Sequence, residues 1–203
     1  MKETKDYILF ESFKLFLANG YDKVSMNDLV KASGLSKGAF YHYFSSKEEL
    51  FKDAISTFFF TGLESERFTP NPNISLEKNL LNLVSFKADL FKQLLVFTGL
   101  KELETGYFTL IFQAIRIFPE FRDKLSFEGS NEVEMLNQVF EIAKDRNELR
   151  DELETKHLAQ IYSNMLDGME LHSVVEGNSY LLHQKQKEAT SFFCKMVYKQ
   201  IGI

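Results

Sequence analysis

The chain has 203 residues, 44% of them hydrophobic and 26% charged, with a formal net charge of −5. That length suits one compact unit or two small ones, and the apolar share excludes a disordered chain. Three Pro and ten Gly are few for this length and favour long helices. No Trp beside 21 Phe predicts a large, dry interior.

Met1 to Asp6 is charged and runs straight into a helical pattern, so no secretory signal is expected there. Cys194 is the only cysteine, which excludes an intrachain disulfide and fits a cytoplasmic location. Apolar runs such as Thr57 to Leu63 fall far short of the roughly 18 residues a membrane span needs. In chain order, Leu9, Phe13, Phe16 and Leu17 predict a first helix over Lys5 to Asn19, stopped by Gly20. Ser25 with Asp28 three residues on is a capping-box variant that opens a second helix through Ala32. Ser33-Gly34-Leu35 reads as a tight turn, and Ser36 caps a third helix from Lys37 to Phe44. Ser46 with Glu49 is another box and opens a fourth helix to about Glu66.

Phe68 to Asn73 is the one stretch rich in breakers and reads as a loop. Helices are expected again from Ser75. Leu100 to Phe118 is apolar and helical, and Pro119 interrupts it. Gly129-Ser130-Asn131 is expected to break the chain before an amphipathic Glu132 to Asn147. Asp151 or Thr155 starts a long helix to Glu176, closed by Gly177, and a last helix spans Leu181 to Gln200. No segment alternates as a strand does, so the fold class is all-α.

Three short helices with a tight turn before the third form a helix-turn-helix pattern. At about 100° per residue, Ala39, Phe40, Tyr43 and Phe44 fall on one side of the third helix. Lys37, Gly38, Tyr41 and His42 fall on the other. The first set can bury against Leu9, Phe13, Leu29 and Val30. The second offers a cation, a glycine without bulk and two hydrogen-bonding rings, which suits a DNA major groove. Residues 1–53 hold eight Lys and eight acids, so the deficit of −5 belongs to the rest of the chain. Val24 to Lys47 carries three Lys against one Asp and is mildly basic.

Val24-Ser25-Met26-x-Asp28-Leu29-x-x-Ala32-Ser33-Gly34-Leu35-Ser36-Lys37-Gly38-Ala39-Phe40-Tyr41-His42-Tyr43-Phe44-x-x-Lys47-Glu48-x-Leu50 resembles the DNA-binding signature of the TetR (tetracycline-repressor) family. Phe16-x-x-x-Gly20-Tyr21 before it matches as well. The close resemblance covers Ile8 to Ile55. Beyond it, the chain is similar only in its helical outline and in Asp167-Gly168. The resemblance implies a DNA-binding domain over 1–50 and a helical ligand-binding and dimerisation domain over 51–203. It implies a homodimeric regulator, usually a repressor, with two recognition helices in successive major grooves of a palindromic operator. A small molecule in the C-terminal domain would lower operator affinity, and no cofactor is implied.

Carried over residue by residue, Ser25 and Ser36 match phosphate-holding helix starts. Tyr41 and Lys47 match phosphate contacts. Lys37, Gly38 and Ala39 match base-reading positions, His42 lies beside them, and Asn27 matches a groove or backbone contact. All five Arg lie at residue 67 or later, so arginine's bidentate grip on guanine is absent from this segment. Modest direct readout is therefore expected, with much of the affinity from phosphates and shape.

Phe86, Phe108, Phe112, Gln113 and Tyr162 are candidates for a pocket that takes an apolar or aromatic ligand. Apolar stripes on the last two long helices predict a four-helix dimer interface. They comprise Leu158, Ile161, Tyr162, Met165 and Met169, then Ala189, Phe192, Phe193, Met196 and Val197. Glu154 and His157, at i and i+3, are half of a di-iron carboxylate site. They keep open a metal-binding or oxidoreductase alternative. The chain holds no second Glu-x-x-His, so solvation is the expected role of the pair.

Overall fold

The computed structural model describes residues 2–60, 67–99 and 104–199. The described elements are helices, in this order: α1 Lys2–Asn19, α2 Met26–Ser33, α3 Lys37–Tyr41, α4 Lys47–Ala54 with a π-helical turn Ile55–Phe60, α5 Leu76–Thr98, α6 Glu104–Ile117, α7 Glu120–Asp145, α8 Thr155–Glu176, a 3-10 turn Ser179–Leu181 and α9 Leu182–Val197. One isolated antiparallel bridge, Leu149 to Tyr198, is the only extended pairing among the described residues. The expected continuation of the fourth helix over 61–66, the start of the next apolar helix over 100–103 and the helix end at Gln200 lie outside the described residues.

Packing divides the chain into two compact units. The first is Met1–Arg67 with Leu94–Lys124, and the second is Phe68–Gln93 with Leu125–Ile203. Helix α6 thus belongs to the unit that carries the helix-turn-helix.

In the first unit, Ser25 caps α2 as a complete box, its side chain accepting from Asp28 N–H while Asp28 reaches back to the Ser25 N–H. Gly34 ends α2 in the left-handed region, φ 67°. Ser36 caps α3 by accepting from the Ala39 N–H at 3.3 Å. Ser46 caps α4 likewise, at 3.1 Å from Glu49 N. The expected box at Ser46 is corrected in one detail. The Glu49 carboxylate bonds to the Ser45 N–H and hydroxyl, at 2.9 and 2.7 Å. Ser45 wins because it offers the same oxygen two donors. Ile8, Phe13, Phe16, Leu29, Phe40, Phe44, Leu50 and Phe51 form the buried core beneath these helices.

In the second unit, Leu76, Leu80, Leu83, Leu136, Phe140, Leu158, Tyr162, Leu166, Phe193 and Cys194 are buried together. Burial pushes the Cys194 thiol up to about 12, so its reactive thiolate is scarce. The expected break at Gly129 to Asn131 does not occur, and α7 runs through it. Gly129 takes no positive φ. A glycine costs a helix only about 1 kcal/mol relative to Ala. Burial of Leu136, Val139, Phe140 and Ala143 on the same helix outweighs that cost.

A partly buried charge cluster joins three helices of this unit. Lys87 of α5 meets Glu132 of α7 at 2.8 Å and Glu170 of α8 at 3.9 Å. Burial raises the Asp167 and Glu170 carboxyls above their ordinary range, with Lys87 opposing the rise. Burial works to lower Lys87, but Glu132 and Glu170 outweigh it and raise the ammonium. A raised carboxyl holds its proton in the folded state at a pH where the unfolded chain, near about 4, has released it. Stability from Asp167 and Glu170 is therefore greatest at low pH and is lost as pH rises through their folded values. Glu170→Gln removes one such group. In urea unfolding, the parent is expected to lose stability relative to this variant as pH climbs from 4 to 7; parallel curves would contradict the assignment.

Candidate nucleic-acid interface

Helix α3 has an anchored side and a presented side. Phe40 and Phe44 are fully buried, and Tyr43 is half-buried. Ser36, Lys37, Gly38, Tyr41 and His42 are exposed. Ala39, expected on the inner side with Phe40, is exposed as well. One residue is a 100° step, enough to carry it off a helix face held only by Phe40 and Phe44. Lys37 Nζ lies 5.9 Å from the centre of the Tyr41 ring, one helical turn on. The α3 side chains thus offer a cation, a phenol and an imidazole around the open backbone at Gly38. No Cβ added at Gly38 would meet a neighbour within 4 Å.

At the start of α2, Asn27 and Ser25 are exposed. The Ser25 hydroxyl donates to Asp28 Oδ2 at 2.6 Å, so its hydrogen is already used. This bond, with the Ser25 N–H bond, holds the Asp28 carboxyl below its usual range. An anion here would meet the unpaired N–H groups of the first turn rather than that hydroxyl.

Lys47 is placed differently from a free phosphate-binding lysine. Its Nζ donates to the Tyr21 carbonyl at 3.0 Å and the Val24 carbonyl at 2.9 Å. It also sits 4.0 Å over the Tyr21 ring. Two of its three N–H groups are thus committed within the fold, and one is left for a phosphate. Burial, with Glu48 beside it, pushes the Tyr21 phenol up to about 12.

The five proposed ligand residues are divided between the two units. Phe108, Phe112 and Gln113 share α6 in the first unit, where Phe112 is 54% exposed. The Phe108 and Phe112 rings lie 6.4 Å apart. Gln113 accepts from the Tyr21 N–H at 2.6 Å and donates to Asp22 Oδ2 at 3.2 Å. Phe86 and Tyr162 belong to the second unit. The Phe86 ring meets that of Phe68 at a tilt, with centroids 5.9 Å apart. Tyr162 is fully buried, and its hydroxyl pairs with Thr190 Oγ1 at 2.8 Å. The Asp22 to Arg116 contact and the role of Gln113 carried no local signal, because their partners lie more than 90 residues away.

Glu154 and His157 pair with each other at 3.0 Å on the surface. Among the described residues, no group of three His, Cys, Asp or Glu is placed to hold a metal ion. No described helix is long and apolar enough to cross a membrane.

A capped, anchored helix-turn-helix with a polar outer face defines the class as a helix-turn-helix DNA-binding regulator. Residues 8–54 match the family described as bacterial regulatory proteins, tetR family. The chain is 26% identical over 171 residues to the transcriptional repressor BepR of Brucella suis, covering 82% of this chain and 78% of that one. It is 39% identical over 59 residues to YuxN of Bacillus subtilis, an HTH-type transcriptional regulator, but this spans only 29% of this chain and 20% of that one. Its fold is similar to that of a transcriptional regulator from Saccharomonospora viridis solved in complex with choline. The TM-score is 0.70 at 15% identity, over 98% of this chain and 100% of that one. The match therefore places the segment 8–54, which holds the helix-turn-helix, in the tetR family.

Lys47→Ala removes two hydrogen bonds at the turn between α1 and α2. It is expected to destabilise the protein by about 2 kcal/mol, since hydrogen bonds from a charged donor contribute roughly 1.5–3 kcal/mol. Urea unfolding checks this, and an unchanged midpoint would refute the structural role.

Proposed function

We propose that this regulator binds a palindromic DNA operator as a homodimer and represses until a small ligand releases it. The carrying observation is the exposed face of α3, with Lys37, Gly38, Ala39, Tyr41 and His42 presented over buried Phe40 and Phe44. Lys37 reads base edges, while Tyr41, the helix starts at Ser25 and Ser36, and the remaining N–H of Lys47 hold phosphates. Asn27 and His42 contact the backbone or groove beside them. The head is residues 1–50, and 51–203 hold the ligand and the dimer contact. BepR, named a repressor, supports that direction of control, and a chain that acts on DNA works in the cytoplasm.

Helices α8 and α9 support the dimer. Leu158, Tyr162, Phe193 and Val197 are buried within the unit. Ile161, Phe192 and Met196, on the same two helices, are 56%, 64% and 50% exposed. A second copy covers this outer apolar face, and Gly168, with open space over it, permits close approach. The ligand is small and apolar or aromatic, and the α6 aromatics Phe108 and Phe112 are its best-placed candidates. A regulator of similar fold from Saccharomonospora viridis was solved in complex with choline, which supports a small organic ligand.

Selection from a random-sequence duplex library tests the reading. The enriched duplex is expected to carry an inverted repeat, and log affinity should fall linearly with log salt. Lys37→Ala should change the preferred bases and weaken binding by roughly 1–3 kcal/mol. A library that yields no enriched duplex sinks the proposal. Separately, Phe192→Glu is expected to convert the dimer to a monomer by light scattering at micromolar concentration. If the parent itself is monomeric there, the two-headed operator reading fails.

A further inference from the structure

Helix α1 ends at Asn19, and Gly20 turns the chain at φ 77°. The Gly20 N–H still returns to the Phe16 carbonyl at 2.7 Å. The next amide does not bond within α1. Tyr21 N–H donates instead to Gln113 Oε1 of α6, at 2.6 Å. Gln113 Nε2 continues to Asp22 Oδ2 at 3.2 Å. Arg116, one turn further along α6, donates to both Asp22 carboxylate oxygens, at 3.2 and 2.8 Å. At the other end of α6, a Cβ on Gly106 would come within 2.2 Å of the Leu17 carbonyl oxygen. The two helices are therefore in backbone contact there. From the opposite side, Lys47 of α4 holds the Tyr21 and Val24 carbonyls. The five residues that lead into the Ser25 cap are gripped by α6 through an amide and a carboxylate, and by α4 through two carbonyls.

We propose that Gln113 and Arg116 are positioning residues for DNA binding: by fixing Tyr21 and Asp22 to α6, they set how α2 and α3 are presented to the duplex. The inference rests on the DNA-binding reading above. The Asp22 and Arg116 side chains are 59% and 64% exposed, and an exposed ion pair adds little to stability. The Asp22 carboxylate is nevertheless held by two side chains of α6, one Arg116 nitrogen and Gln113 Nε2, and Gln113 also accepts the Tyr21 N–H, so together the three contacts fix an orientation. Positioning and stability therefore come apart at this pair, which makes the role measurable.

The test uses the full chain and the duplex enriched by the parent, with affinity read as the ratio to a random duplex so that general charge effects cancel. Asp22→Ala and Arg116→Ala are each expected to lower that ratio by roughly 2- to 30-fold. The melting temperature should stay within about 4 °C of the parent. The double variant should be no weaker than Asp22→Ala alone, because that substitution already removes the Arg116 contact together with the Gln113 bond. Gln113→Ala should lower the ratio similarly and speed hydrogen exchange at the Tyr21 amide. If that variant fails to fold, the exposed pair still decides the matter. Ratios equal to the parent's, while Lys37→Ala loses affinity, overturn the positioning role and leave DNA binding intact. Additive losses in the double variant overturn it too. A parent that enriches no duplex overturns both readings.

Discussion

A five-residue helix has no stability of its own in water, because nucleation outweighs the few hydrogen bonds it gains. Helix α3 is that short. It persists because Phe40 and Phe44 are buried to 0% and 1% exposure in the head's core, and because Ser36 caps its start. This burial has a direct functional consequence. With the aromatic side held, Lys37, Gly38, Tyr41 and His42 have no freedom to turn inward, and the helix presents a fixed polar face. Loss of either phenylalanine would remove the reason for the helix and its orientation together.

The turn between α1 and α2 shows how one residue type can be spent in two ways. Lys47 sits where a phosphate contact is expected from the family signature. Its ammonium instead faces two carbonyls of the turn between α1 and α2, those of Tyr21 and Val24. The two roles need not exclude each other, since an ammonium has three donors. The order of importance changes, however: the lysine first closes the turn, and only one donor is left over from the two carbonyl bonds. Gln113 repeats the lesson with opposite polarity. A polar side chain on an apolar helix reads as a ligand contact, yet its carbonyl oxygen answers an amide from the same turn.

Helices α8 and α9 carry apolar side chains on an inner and an outer side. Their inner sides join the core through Tyr162 and Phe193, whose rings lie 5.2 Å apart. Their outer sides leave Phe192 and Met196 in water. Beside them, the Lys87 cluster spends one ammonium on more than one carboxylate. Such a cluster is weak evidence for net stability, because desolvation of the buried charges offsets their attraction.

The local chemistry was legible in the amino-acid sequence. Serine caps at residues 25, 36 and 46 and the glycine turns at 34 and 177 act through partners within about four residues, and the spacing of Phe40 and Phe44 sets them on one side. That range is what a reader of sequence sees, because helical geometry defines it. The helix-turn-helix and the all-helical class follow from it. Tertiary structure alone decided the rest. Gly129 stays helical because buried side chains further along α7 outweigh its weak propensity. Each apolar stripe splits into an inner and an outer half because only packing chooses which residues face the core. Tyr21 finds Gln113 across 92 residues. An unpaired amide at a helix end states in the sequence that it needs an acceptor; only the folded chain decides which one it gets.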